Sequence, residues 1–197
     1  MLRKIFIALF VLLLLAMGVA AYLWHEATAL PDWYTEGAAQ DIGEAAAAEP
    51  VWVPAADGES QEMRNFHTRS KRIKPVLRRA IKGSRVTYKK NGQVEAGMVA
   101  NIGDVREEEL STNDRSFLEQ ATSAFPSLKQ RDIYIGVEGD TVVNNGVVQL
   151  GKDPQVKIGN LSYSLPDAAA RLGLNEAKLR AELNAELARM GVHAPSK

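Results

Sequence analysis

The chain of 197 residues contains no cysteine, which excludes disulfides, thiolate chemistry and sulfur-ligated metals and leaves packing to hold any fold together. Its 24 Lys and Arg balance 24 Asp and Glu, but the signs are segregated: nine acids and no Lys or Arg lie between His25 and Met63, then eleven Lys or Arg and no acid between Met63 and Val94. With anchor and tether set aside, the remainder has room for one domain of about 130 residues and not for two.

The chain begins with an apolar run. Ile5 to Trp24 (IFIALFVLLLLAMGVAAYLW) is twenty residues without a charge, amide or proline. At ~1.5 Å per residue that is a helix of about 30 Å, one bilayer core. Lipid offers no water to a bare backbone, so such a run must pair its amides internally. Arg3 and Lys4 precede it and no Lys or Arg follows before Arg64. This bias predicts a single-pass protein of the cell membrane with a cytoplasmic N-terminus and a periplasmic or extracytoplasmic remainder. Tyr22 and Trp24 close the run as rings suited to headgroup level. A cleavable signal peptide is the competing expectation, since Gly18-Val19-Ala20 offers small residues to a signal peptidase. A secretory apolar region is typically ~7 to 15 residues, and this one continues past the candidate site, so an uncleaved anchor is expected.

Pro31 lacks an amide donor and disfavours helix in Leu30, so a helix leaving the membrane should end or kink there. Trp33 and Tyr34 follow, either as a second interfacial contact or as a cap on the folded domain. From Glu36 to Ser60 bulky apolar residues are too few for independent folding, which reads as a tether with a marginal helix around Ala38 to Ala48. Val51, Trp52 and Val53 form a short extended piece able to pack on the domain.

In the basic segment Ile73, Val76, Leu77, Ala80 and Ile81 have the spacing of one buried helical stripe, starting near Lys74 and stopping at Gly83. Next, SRVTYKKNGQVEAGMVANIGDV alternates on both sides of Asn91-Gly92. A two-residue turn would split the apolar set between faces. A three-residue loop, Lys90-Asn91-Gly92 with Gly92 left-handed, opposes Tyr88 to Val94 and Val86 to Ala96, and puts Met98, Ala100 and Ile102 on the same face. Ser111 to Phe125 reads as an amphipathic helix capped by Thr112 or Asn113, with Phe117, Leu118, Ala121, Ala124, Phe125 and Leu128 inward and Pro126 as its stop. Strands resume with Ile133, Ile135 and Val137 inward, turn at Asn145-Gly146, and continue through QVKIGNLSYSL, where Gly159 marks a switch of parity expected from a bulge. Two helices finish the chain: Pro166 to Leu172, entered through Ser164, and Glu176 to Met190, capped by Asn175, with Leu179, Leu183, Leu187 and Met190 as its stripe.

The expected architecture is α+β, a transmembrane helix followed by one domain with a mostly antiparallel sheet against amphipathic helices. Its expected divisions are anchor (1–24), acidic juxtamembrane tether (25–62), extracytoplasmic domain (63–191) and tail (192–197).

Catalytic chemistry finds little support. His25, His67 and His193 have no ligand-type partner at helical spacing, no hydrolase, zinc-protease or phosphate-loop motif occurs, and Glu138 and Asp140 flank a turn glycine where acids are ordinary. A non-enzymatic protein without cofactor or metal is expected. The basic run is the strongest chemical signal: Lys71, Arg72, Lys74, Arg78, Arg79 and Lys82 form either a solvated face balanced by the acidic tether or a contact for an anionic surface. Outside the cytoplasm nucleic acid is excluded, so the expected partners are the lipid bilayer and either anionic lipid or a partner membrane protein. Tyr22, Trp24, Trp33 and Tyr34 are the candidate membrane interface, and Met98, Ile102, Ile135 and Val137 a candidate apolar ligand face.

The single N-terminal anchor, the helix before a long hairpin and the run GDTVVNNGVVQLGKDPQVKIGNLSYSL resemble uncharacterised bacterial membrane-anchored proteins. More remotely, Ser70 to Leu165 is similar in turns and alternation to tubular lipid-binding domains, in which a curved sheet and a helix enclose an acyl-chain cavity. That resemblance implies a binding protein for lipid or another hydrophobic ligand at the membrane surface. The alternative is a non-enzymatic accessory or adaptor subunit of an envelope complex; a lined cavity would favour the first, a filled core with an exposed apolar patch the second.

Overall fold

The computed structural model describes residues 2–35, 51–68, 75–129, 132–144 and 147–189. Helix α1 spans Leu2–Ala27 and is followed by a single turn, α2 (Asp32–Thr35), with the break between them ahead of Pro31. Side chains of α1 are described from Leu14 onward. Among the described residues no helix is long and apolar enough to cross a membrane.

Eight strands follow: β1 (Val53–Pro54), β2 (Gln61–Arg64), β3 (Ile81–Tyr88), β4 (Gln93–Ala100), β5 (Ile133–Asn144), β6 (Val147–Leu150), β7 (Gln155–Ile158) and β8 (Leu161–Ser164). All pair antiparallel in the order β1-β2-β3-β4-β5-β7-β8, while β6 pairs with the second half of β5. Helices α3 (Pro75–Ala80), α4 (Thr112–Ala124), α5 (Leu165–Arg171) and α6 (Glu176–Arg189) complete a mixed α+β fold.

The β3–β4 register is the one that parity demands. Tyr88 opposes Val94 and Val86 opposes Ala96, with Gly92 left-handed at φ +84° and Lys89 N–H bonded to Gln93 O at 2.8 Å. The same face continues through Ala96↔Val137, Met98↔Ile135 and Ala100↔Ile133. It builds a core with α5 and α6: Val86, Val94, Val137, Val148 and Leu187 at one end, Ile133, Ile158, Leu165, Ala168 and Leu179 at the other. The helical entries are as expected: Ser164 accepts from Asp167 N–H, and Asn175 Oδ1 accepts from Lys178 N–H at 2.7 Å. The Asn145-Gly146 turn, Ile73 and Met190 lie outside the described residues, although Asn144 opposes Val147 across that turn.

Several expectations are corrected. The basic helix is one turn and a half, because Ile81 is drawn into β3 by pairing with Ala100, and Gly83 sits inside the strand at a shift of register instead of capping the helix. Leu77 is therefore exposed, and among the described residues of the stripe only Val76 and Ala80 are buried, against Val105 and Leu110. Helix α4 is capped by Ser111, whose Oγ accepts from Asp114 N–H, one residue before the expected cap. Phe117 is exposed because it stands about 100° round the helix from Leu118, which points to the core. Gly159 is not a bulge: Gly159-Asn160 is the two-residue turn of a β7–β8 hairpin with Ile158 opposite Leu161, and an even turn is what moves the apolar parity. Strand β1 and the start of β2 fall inside the stretch read as tether, so the sheet begins at Val53, while Trp52 packs against the core as expected.

His67 is buried, with Nδ1 2.7 Å from Ser84 Oγ.

Two predictions follow from this frame. At Gly92 an added Cβ would meet nothing within 4 Å, so Gly92→Ala reports the left-handed backbone alone and should cost on the order of 1 kcal/mol; an unchanged denaturant midpoint would contradict the turn. Burial, aided by the nearby Arg78 charge, holds the His67 imidazole down to about 4 from its ordinary 6.5. The unfolded chain then binds the extra proton between those values, so stability is full above pH 6.5 and falls as pH drops toward 4. Thermal unfolding of the wild type should decline more steeply across that window than that of His67→Gln, and parallel curves would contradict a buried neutral ring.

Candidate functional site

The site is made where α1 meets the sheet. Glu26 O accepts from Asn160 N–H at 2.8 Å, and Gly159 N–H bonds to Tyr134 O at 2.9 Å. Gly159 is left-handed at φ +57°, and a Cβ there would lie 2.4 Å from Glu26 O and 2.5 Å from Ala27 O. A side chain at this position would therefore collide with backbone, so the contact requires glycine. Asn160, next along the turn, supplies the free amide that the end of α1 uses.

Beside this junction a groove of about 540 Å³ opens between α1 and the domain. Ala20, Leu23, Trp24 and Ala27 form its α1 wall, and Phe125, Pro126, Leu161, Tyr163 and Arg171 its domain wall. Phe125 and Tyr163 meet edge to face with centroids 5.3 Å apart. The Arg171 guanidinium stands over both rings, 5.2 Å from Tyr163 and 5.9 Å from Phe125. The Arg171 cation thus lies against two aromatic rings, with no carboxylate partner among the described residues. Above the groove α1 keeps its apolar surface in the open: Leu14, Leu15, Met17, Val19, Tyr22, Leu23 and Trp24 are all exposed.

The chain leaving α1 is strapped to the opposite face of the sheet from the helices. Trp33 and Tyr34 flank Gly83, Trp33 packs edge-on to Tyr134 at 6.3 Å, Arg85 stacks on Trp33 at 5.3 Å, and Tyr34 OH donates to Asp132 at 2.7 Å. Burial and the Asp132 carboxylate push the Tyr34 hydroxyl up to about 12. These rings cap the domain, so of the four candidate interface residues only Tyr22 and Trp24 stand exposed on α1. Tyr134 lies flat across Gly136 and Gly97, where a Cβ would come within 2.7 and 2.3 Å of its hydroxyl, and donates to Glu95 at 3.0 Å. Around it Glu95 and Glu138 sit directly opposite each other on β4 and β5. Lys89 and Lys157 offset that repulsion, at 2.5 and 2.6 Å from Glu138. Burial alone would raise the Glu138 carboxyl, but Lys157 and Lys89 outweigh it and hold it low.

The expected sites fare differently. Lys71, Arg72 and Lys74 lie outside the described residues. Arg79 pairs with Glu109 and Lys82 with Asp104, both at 2.5 Å, so this part of the basic face meets acids that follow it in the chain. Arg78 is partly buried beside it. Ile102 and Ile135 pack with the α5 end of the core and Val137 with the α6 end, so these three wall a packed interior, while Met98 is half-buried opposite Ile135. Sequence reasoning missed the groove. Arg171 is on α5, Tyr163 on β8 and Phe125 just past the end of α4, and nothing in their spacing joins them.

Comparison with known proteins adds no relative: no family model, no curated protein and no solved structure matches this chain.

The junction makes a direct prediction. Gly159→Ala must displace the end of α1 as well as strain the turn, so it should lower the unfolding temperature by more than Gly92→Ala does. It should also speed proteolysis between Thr28 and Pro31. Equal effects of the two substitutions would show that α1 does not depend on this contact.

Proposed function

We propose that the chain is a single-pass, membrane-anchored, non-enzymatic binding protein that takes lipid or another hydrophobic ligand in the groove between its anchor and its domain. The observation that carries this reading is the position of the groove, open beside the exposed apolar surface of α1 at Leu23 and Trp24. Twenty apolar residues from Ile5 to Trp24 on a helix spanning Leu2–Ala27 support an anchor, with Arg3 and Lys4 on the cytoplasmic side and the domain periplasmic or extracytoplasmic. Trp24 then falls at headgroup level, and the groove opens toward the outer leaflet. Its size is in the ~300–1,000 Å³ range of ligand sites, and its walls are apolar apart from Ser162 and Arg171.

A second reading, an adaptor subunit of an envelope complex, is favoured by the packed interior behind Ile102, Ile135 and Val137 and by exposed Val142, Val143 and Phe117. Native mass spectrometry of the full chain purified in mild detergent separates them. Retained lipid on the monomer is the expected result. A bare chain, or one that retains only a second protein, would overturn the ligand-binding reading in favour of the adaptor.

A further inference from the structure

The groove is lined by one charged residue, Arg171, and its surroundings differ from those of the domain's ion-paired cations. Arg79, Lys82, Arg85, Lys157 and Arg180 each have a carboxylate within 4 Å. Arg171 is exposed, forms no ion pair among the described residues, and lies on the rings of Phe125 and Tyr163. Contact with the two rings holds the guanidinium at the groove, and its N–H donors can meet a planar or tetrahedral oxyanion. No carboxylate lines the groove to compete for it. The rest of the lining is largely apolar, with Leu161, Leu23, Trp24 and Ala27 among it. A ligand complementary to this arrangement is negatively charged at one end and hydrocarbon at the other.

The α1 wall indicates the source. Ala20 to Ala27 covers about 10 Å of helix axis, the depth over which a bilayer passes from acyl chain to headgroup. We infer that the groove selects an anionic phospholipid of the outer leaflet, its headgroup phosphate region on Arg171 and the upper part of one acyl chain between α1 and the domain. This inference rests on the proposed function and adds the charge of the ligand and the residue that reads it.

The test uses the full chain in nanodiscs of equimolar phosphatidylcholine and phosphatidylglycerol, with the lipid that stays bound after ejection counted by native mass spectrometry. Wild type should retain phosphatidylglycerol over phosphatidylcholine by about five-fold, the ratio that one cation near an anionic surface supplies. Arg171→Gln should retain both lipids equally while still unfolding in one cooperative transition. Lys178→Gln, an exposed cation on α6 outside the groove, should keep the preference. Equal retention of the two lipids by wild type, or a preference that survives Arg171→Gln or is lost in Lys178→Gln, would overturn the inference while leaving a lipid-binding groove intact. A wild-type chain that holds no lipid would overturn the proposed function along with it.

Discussion

The backbone contact between the last turn of α1 and the β7–β8 turn governs what the molecule can do. The carbonyl oxygens of Glu26 and Ala27 occupy the space that any side chain at residue 159 would need, and Asn160 N–H satisfies one of the carbonyls that a helix end leaves unpaired. A helix end held this way cannot swing freely against the sheet. It defines one wall of the groove, and the strap through Trp33 and Tyr34 returns along the other face of the sheet to hold the same segment a second time. Two attachments on opposite faces set the angle between apolar helix and domain more firmly than either would alone.

The strap depends on the outer sheet face. Gly97 and Gly136 leave a trough in which Tyr134 lies flat, which gives Trp33 an edge to pack on and brings the hydroxyl to Glu95. Burial, followed by the Glu95 charge, pushes that hydroxyl up, so it remains a donor at any ordinary pH. The Lys89, Glu95, Glu138 and Lys157 cluster surrounds it with signs that cancel. Burial lowers and Glu138 and Glu95 raise the Lys157 ammonium, with the acids prevailing. A partly buried network of this kind contributes more to a fixed geometry than to net stability, because each ion gives up water to join it. The basic segment has similar pairs at Arg79 and Lys82, which explains why a run of eleven cations need not act as a free anionic-surface patch.

Much of the fold was legible where a local rule and a parity argument agreed. The β3–β4 register followed from one left-handed Gly92 and the need to keep Val86, Tyr88, Val94 and Ala96 together. The starts of α5 and α6 followed from Ser164 and Asn175. Failure came where tertiary pairing overrode local preference: Ile81 left a helical stripe to pair with Ala100. At Gly159 a change of parity has two physical causes, a bulge or a two-residue turn, and short flanking strands could not separate them. The candidate site was legible only as an apolar helix ending in Trp24. Its other wall depends on long-range packing of Phe125, Leu161, Tyr163 and Arg171, none of which is marked by a motif.

The proposed function has α1 entering the bilayer and holding the β7–β8 edge at its surface. Because the chain has no cysteine, single nitroxide labels can be placed at Ser162→Cys beside the groove and at Asn91→Cys on the β3–β4 loop. Ser162 opposes Lys157, which opposes Gly136 on β5, whereas Gln93, two residues from Asn91, opposes Asp140 four residues further along, which at ~3.3 Å per residue separates the two levels by about 13 Å. In nanodiscs, collision with oxygen should exceed collision with a water-soluble nickel chelate for the label at 162, and the reverse should hold at 91. Equal, water-like accessibility at both positions would contradict a domain edge seated on the membrane.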